Sequence, residues 1–160
     1  MSRTLALRAG DLKAAEAPGR LVIHGLGSCV AVFVYDPETR IGGLAHILLP
    51  AAPSQPSDKP GRYAPTAVAT LLDETLRLGA RRGGLFAKVT GGSKMFRFDN
   101  DTARPAIGER NVEAALAALE EARISVVATD VGGDCGRTVE ADLTDGGLTI
   151  KTVRGIPRVI

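Results

Sequence analysis

The chain has 160 residues, of which 44% are hydrophobic and 24% are charged, and this suits a single globular domain spanning 1–160. The formal net charge is only +2 and aromatic residues make up 4%, so neither a basic surface nor base-stacking side chains indicate a nucleic-acid binder. The first residues lack the apolar region of a signal peptide, no segment suits a membrane span, and the two cysteines suit a reducing compartment. We therefore expect a cytoplasmic protein without membrane insertion.

Residues 1–20 are polar and rich in alanine, which predicts a short strand or an irregular arm. Residues 21–23 predict a strand that leads into a glycine turn. The apolar runs 30–35 and 41–50 flank a cluster of turn residues, which is the pattern of a β-hairpin.

The rest of the chain alternates between helical and extended patterns. We predict, in order, a surface loop at 51–61, a helix from residue 64 that Gly79 ends, a strand at 84–89, a polar segment at 97–106, a helix introduced by 107–111, a buried strand at 124–129, and an antiparallel pair at 138–143 and 148–153. Together these elements predict a layered α/β domain of mixed, largely antiparallel strands, with two main helices among six or seven strands.

The loop length of the hairpin determines which side chains share a face. If Asp36 pairs with Ile41 across a four-residue loop, then Ala31 lies opposite His46. Cys29 and His46 become diagonal neighbours on one face, with Cβ atoms roughly 6–8 Å apart. A slip of one residue would place the two side chains on opposite faces.

A thiol beside an imidazole suits acyl transfer at a carbonyl through a thioester. A free thiol is only a few per cent thiolate at neutral pH, and a neighbouring imidazolium activates it by lowering its pKa. Gly27 and Ser28 shape the site in this interpretation, because the N–H groups of Ser28 and Cys29 are candidate donors to an oxyanion. The pattern also fits a structural cysteine and histidine in an apolar core. A zinc site from the two cysteines and two histidines lacks close ligand pairs.

Longer segments around the pair extend this interpretation. They are Gly25-Leu26-Gly27-Ser28-Cys29-Val30-Ala31-Val32, Tyr35-Asp36-Pro37 and Gly42-Gly43-Leu44-Ala45-His46-Ile47-Leu48-Leu49-Pro50. Further segments follow in order: Lys59-Pro60-Gly61-Arg62-Tyr63, Ala87-Lys88-Val89, Gly91-Gly92-Ser93-x-Met95-Phe96, Ile107-Gly108-Glu109-Arg110-Asn111-Val112 and Asp130-Val131-Gly132-Gly133. From residue 21 to residue 153 the sequence resembles the CheD family of chemoreceptor glutamine deamidases.

The resemblance implies a hydrolase that converts selected glutamines of methyl-accepting chemotaxis receptors to glutamates, releasing ammonia through a cysteine thioester. Cys29 falls on the family's nucleophile and His46 on its base. The implied fold is similar to that of the cytotoxic necrotizing factor deamidases. The implied partners are the receptors and the phosphatase CheC, and neither a cofactor nor a metal is implied.

Ile23 departs from the family pattern. Many members have a threonine six residues before the cysteine, where it helps to position the histidine, and isoleucine has no hydrogen-bonding side chain. A main-chain carbonyl, a water, or His24 on an irregular backbone are the candidate replacements for orienting His46. Two alternatives to a deamidase stay open: a catalytically weak adaptor that binds receptors or CheC, and a transglutaminase in which an amine replaces water.

The remaining marked residues are assigned no chemistry. Cys135 lies in a glycine turn, and Gly91 and Gly92 are expected to pack tightly or to pass near the substrate. We expect residues 109–111 to cap and charge the second helix, and Arg137 to form a surface ion pair or a receptor contact.

Overall fold

The computed structural model of the chain describes residues 2–52, 59–95 and 105–160. Within these ranges the chain forms ten β-strands and two α-helices. In chain order they are β1 (Arg3–Ala6), β2 (Leu12–Glu16), β3 (Gly19–Leu26), β4 (Val30–Asp36), β5 (Ile41–Ile47), α1 (Ala64–Arg77), β6 (Phe86–Gly91), α2 (Ile107–Glu121), β7 (Ser125–Val131), β8 (Arg137–Asp142), β9 (Leu148–Lys151) and β10 (Arg158–Val159). Neither helix in the described ranges is long and apolar enough to cross a membrane.

The strands form two five-stranded sheets. Sheet A has the strand order β1-β3-β8-β9-β10, and sheet B has the order β2-β5-β4-β6-β7. The β1–β3 and β6–β7 pairs are parallel, and the other pairs of described strands are antiparallel. This confirms the predicted mixed α/β class, with two main helices and largely antiparallel strands.

Strand β4 is buried on both of its faces. Val32 and Val34 pack in a cluster with side chains of α1 and α2, whereas Ala31 and Phe33 pack in a second cluster with side chains of β3 and β8. A strand covered on both sides has no polar face, which explains the unbroken apolar run in its sequence. The molecule is therefore layered, with the helices on one side of sheet B and sheet A on the other.

The predicted register of the hairpin is confirmed. Asp36 pairs with Ile41 and Ala31 pairs with His46. Residues directly opposite each other in an antiparallel pair lie on the same face of the sheet. Because Ala31 belongs to the cluster between the sheets, His46 also faces sheet A.

Both predicted helices are confirmed. Helix α1 begins at Ala64, has a proline in its first turn and ends at Arg77, shortly before Gly79, whose φ of +116° no longer suits a helix. Helix α2 begins at Ile107, where the sequence predicts it.

Three strands were not predicted individually, because they are short and have few neighbours. Strands β1 and β2 occupy residues 1–20, and β10 has two residues. Each lies at the edge of its sheet, where little apolar surface is buried and the alternation that marks a strand is weak.

The predicted strand at 124–129 is present as β7, but its predicted burial is wrong. It is the edge strand of sheet B, and Val127 is 57% exposed. Within the predicted loop 51–61 and polar segment 97–106, residues 53–58 and 97–104 lie outside the described residues.

A buried carboxylate stabilises the end of β4. Asp36 is fully buried and accepts hydrogen bonds from the Arg81 main-chain N–H at 2.8 Å and from its guanidinium at 2.9 and 3.1 Å. These guanidinium bonds, more than any other contact, hold the pKa of Asp36 well below its usual range. The stabilisation that Asp36 contributes should therefore be fully present above about pH 4 and be lost below it, because the unfolded chain takes up the proton first.

Asp36→Asn should lower the free energy of unfolding by about 2–4 kcal/mol at neutral pH and weaken its dependence on acid. Urea denaturation between about pH 3 and pH 7 measures both effects. Asp134→Asn is the matched control, because Asp134 is exposed and its carboxylate lies 3.6 Å from exposed Arg154. Equal losses in the two variants would contradict this assignment.

Candidate active site

Cys29 lies on the short connection between β3 and β4. The pairing of β3 with β8 shifts in register between Ile23 and Leu26, and Gly25 within this stretch has a φ of +71°. A bulge of this kind bends a strand away from its partner. The Cys29 side chain is half-buried and packs against the cluster between the two sheets.

Residues 27–29, here called the cysteine loop, have all three of their carbonyl groups bound by donors from distant parts of the chain. The donors to Gly27, Ser28 and Cys29 are, in order, the Ser93 N–H at 3.0 Å, the Asn111 Nδ2 at 3.0 Å and the Gly92 N–H at 2.9 Å. Two donors follow β6 and the third lies on α2. Together they determine the orientation of each peptide group in the loop.

The N–H groups of the cysteine loop differ from its carbonyls, because they are not held by distant parts of the described chain. Among the described residues only the Cys29 N–H has a partner, and that partner is the Cys29 thiol. The C=O and N–H of a trans peptide point in opposite directions. The N–H groups of Ser28 and Cys29 therefore point away from the donors that hold the carbonyls of Gly27 and Ser28. An oxyanion hole needs N–H groups that point in this way toward the space beside a nucleophile.

His46 lies in β5, and it is 5% exposed. Its main chain is held by the segment that precedes β2. The His46 N–H donates to the Asp11 carbonyl at 2.9 Å, and the His46 carbonyl accepts from the Gly10 N–H at 2.8 Å. These bonds fix the backbone from which the imidazole projects.

The imidazole is oriented by main-chain atoms. A hydrogen bond to the Leu7 main chain favours its charged form, as it must when a ring N–H donates to a carbonyl. Nδ1 is buried and has no partner among the described residues. It is therefore the ring nitrogen left to accept a proton.

The structure brings Cys29 and His46 to the same face of the β4–β5 pair. No hydrogen bond joins the thiol to the imidazole in the described chain. Burial raises the pKa of the Cys29 thiol, opposed by its own N–H, and burial lowers the pKa of His46, opposed by Leu7 and Asp11. The expected lowering of the thiol pKa is not found, because a buried imidazole is neutral and has no charge with which to stabilise a thiolate.

Comparison with known proteins identifies the family. The CheD profile, described as CheD chemotactic sensory transduction, matches residues 48–152. A protein of Desulfitobacterium hafniense (strain DSM 10664 / DCB-2), named as a probable chemoreceptor glutamine deamidase CheD, is 41% identical over 160 residues, which is 100% of both chains. The chain belongs to the CheD family. Its relatives include the chemoreceptor glutamine deamidase CheD of Thermotoga maritima, which is 41% identical over 146 residues, 91% of this chain and 90% of that one.

A third CheD relative, from Geobacter metallireducens, is named as a probable chemoreceptor glutamine deamidase CheD 2 and is 41% identical over 156 residues, 96% of both chains. Cys29 and His46 precede the residues matched by the family profile. They lie within the similarity to the Desulfitobacterium protein, because that similarity spans the whole chain.

Ile23, where the family resemblance leads one to expect a threonine, is fully buried in the cluster between the sheets. His24 is exposed, so the bulge before Leu26 does not turn its side chain into the core. Of the replacements considered for orienting His46, the structure therefore favours a main-chain group, that of Leu7.

The role of Asn111 differs from the one predicted from the sequence. This residue does not cap α2; it is fully buried and donates to the cysteine loop. A signal was present, because Asn111, Ala115 and Leu119 are four residues apart and share the buried face of the helix. A polar residue on such a face needs hydrogen-bond partners.

Arg137 forms an ion pair, as predicted, with its guanidinium 3.5 Å from the Asp130 carboxylate, but the predicted surface position is wrong because Arg137 is 7% exposed. It donates to the Ser93 hydroxyl at 2.7 Å and to the Gly132 carbonyl at 3.0 Å. The same hydroxyl donates to the Cys135 carbonyl at 2.6 Å. Arg137 thereby supports the loop after β6 that holds the cysteine loop. The Cys135 thiol is half-buried and contacts the Asp134 carboxylate.

We predict that Cys29 reacts with iodoacetamide along a pH profile whose inflection lies above that of the same thiol in the denatured chain, because burial raises its pKa. Alkylation of the native and urea-denatured protein, quantified at Cys29 by peptide mapping, measures the two profiles. A native inflection below the denatured one would indicate a resting thiolate–imidazolium pair instead.

Proposed function

We propose that this CheD-family protein is a protein-glutamine deamidase, which converts glutamine side chains of chemotaxis receptors to glutamates and releases ammonia. The names of its full-length relatives support the activity. We assign the chemistry to Cys29 and His46 because their side chains lie on the same face of the β4–β5 pair. That face combines a thiol, on a loop whose Ser28 and Cys29 N–H groups point away from the donors to its carbonyls, with a buried imidazole whose Nδ1 is unpaired among the described residues.

In the proposed mechanism, Cys29 Sγ attacks the carboxamide carbon while His46 Nδ1 takes the thiol proton. The N–H groups of Ser28 and Cys29 donate to the oxyanion that forms. As the tetrahedral intermediate collapses, the imidazolium protonates the amine and ammonia leaves. Water then attacks the thioester with His46 as the base, and glutamate and the free thiol are produced.

The neutral resting pair suits this sequence of steps. An imidazole with a lowered pKa is unprotonated at neutral pH and ready to accept a proton. The Leu7 main chain serves in place of the family threonine, because a carbonyl that binds the other ring nitrogen leaves Nδ1 as the basic one. A proton moves to the imidazole only when a substrate amide approaches Cys29.

A catalytically weak adaptor is the second candidate function. The observations in its favour are the apolar side chain of Ile23 and the missing hydrogen bond between the thiol and the imidazole in the described chain. In this role the protein binds receptors or a CheC-type phosphatase without turnover. CheC binding is also part of the deamidase proposal, since the family resemblance implies it.

Intact-mass spectrometry of a receptor cytoplasmic fragment tests the proposal. Incubation with the protein should add about 1 Da per modified glutamine, and about 2 Da more in H₂¹⁸O, because water supplies the new oxygen. Added methylamine should leave the product unchanged; a methylamine adduct would indicate a transglutaminase. Binding without any mass gain would support the adaptor.

A further inference from the structure

Asn111 lies where the chain segments that carry Cys29 and His46 meet helix α2. Its side chain is fully buried. The amide Nδ2 donates to the Ser28 carbonyl at 3.0 Å and to the Leu48 carbonyl at 2.9 Å. Ser28 directly precedes Cys29, and Leu48 follows the end of the His46 strand, so one amide group joins the two halves of the site.

The close approach of α2 depends on two glycines. A Cβ at Gly108 would clash with the Gly92 carbonyl oxygen. A Cβ at Gly92 would lie 2.7 Å from the Gly108 carbonyl oxygen, which is closer than side-chain atoms tolerate. The first turn of α2 can therefore press against the loop after β6, which brings Asn111 within reach of the cysteine loop.

The orientation of the Asn111 amide follows from its neighbours. Both acceptors are carbonyl oxygens, so the NH₂ group must face them, and a flipped amide would place oxygen against oxygen. Oδ1 is buried and has no partner among the described residues. The two donated bonds are thus the polar contacts that the structure assigns to this side chain.

Holding the Ser28 carbonyl also determines where the next N–H points. The Ser28 C=O and the Cys29 N–H belong to one planar trans peptide and point in opposite directions. The Cys29 N–H, on the side away from Asn111, hydrogen-bonds to its own thiol. Rotation of this peptide would remove an N–H from the thiol and from any oxyanion formed there.

We propose that Asn111 is a positioning residue of the active site, which holds the Ser28–Cys29 peptide at a fixed place relative to the end of the His46 strand. The inference rests on the proposed deamidase function. Asn111 itself is buried behind the cysteine loop and does not touch the substrate. Its loss should therefore lower kcat, through a misplaced nucleophile and oxyanion donor, and leave KM for the receptor fragment unchanged.

Asn111→Leu provides the test, because leucine has nearly the same shape and no donor. We expect kcat for deamidation to fall about 100-fold with KM unchanged. Alkylation of Cys29 at pH 7 should also slow several-fold, because the thiolate loses a hydrogen bond that favours it. Cys135 is the internal reference thiol, and its alkylation rate should not change.

Thr75→Val is the matched control. Thr75 is a fully buried polar residue of α1, and among the described residues its hydroxyl bonds only to the Leu71 carbonyl of its own helix. Its loss should leave both kcat and Cys29 alkylation as in the wild type.

A general loosening of the fold would expose the Cys29 thiol and speed its alkylation, which is the opposite of the expected change. Faster or unchanged alkylation in Asn111→Leu would overturn the positioning role. If the wild type does not deamidate the receptor fragment, the proposed function fails, and the alkylation comparison still decides the role of Asn111.

Discussion

Cys29→Ala should abolish deamidation, lowering kcat/KM by about four orders of magnitude or more, because it removes the thiol that forms the thioester in the proposed mechanism. Stability should change little, since the side chain is half-buried and small. Ammonia release and the mass gain of the receptor fragment measure activity, and urea denaturation measures stability.

Cys135→Ala is the matched control for this prediction. Cys135 is the second free cysteine and is equally half-buried, but only its carbonyl takes part in the hydrogen bonds that support the site. The substitution removes the thiol and keeps that carbonyl, so activity should be retained. Turnover that survives in Cys29→Ala would show that the nucleophile lies elsewhere.

His46→Gln should lower kcat/KM by about three to four orders of magnitude, because the nucleophile and its base act as a unit. The pH dependence is the more specific measurement. In the proposed mechanism the neutral imidazole is the active form, and burial lowers the pKa of His46. Activity should therefore be constant above about pH 6.5 and decline only at a more acidic pH than an ordinary histidine gives.

His24→Gln is the corresponding control, since His24 is the other histidine of the chain and is exposed. It should keep the wild-type rate and the same acidic decline. The decline should be absent from the residual activity of His46→Gln. An acidic limb that is identical in both variants would assign the titrating group to another residue.

The hairpin and its shared face were predictable because they depend on local rules. Loop length sets the pairing of Asp36 with Ile41, and the two-residue period of a strand then places every other side chain. The helices were predictable for the same reason, since the apolar spacing of α1 and α2 extends over three turns or more.

The surroundings of the pair were not predictable, because they depend on contacts between distant residues. Leu7 is brought to His46 because the edge strand β1, which it follows, pairs with β3. The leucine side chain gives no indication that its main chain forms a hydrogen bond. Asn111 could be recognised as a polar residue on a buried helix face, but its acceptors lie 83 and 63 residues away. The directions in which the pKa values of Cys29 and His46 shift follow from burial, and the local sequence does not specify how deeply these two side chains are buried.

The three hydrogen-bonded carbonyls of residues 27–29 limit which part of the chain can form the candidate site on its own. Their donors are residues 92, 93 and 111, so Cys29, the proposed nucleophile, acquires its geometry only after the second half of the chain has folded onto the first. A hairpin transplanted into another scaffold would carry both reactive side chains and none of these supports. The smallest portable form of this site thus includes both sheets and α2, because Leu7 bonds to β3 and Arg137 lies in β8, and it is far larger than the stretch of sequence that contains Cys29 and His46.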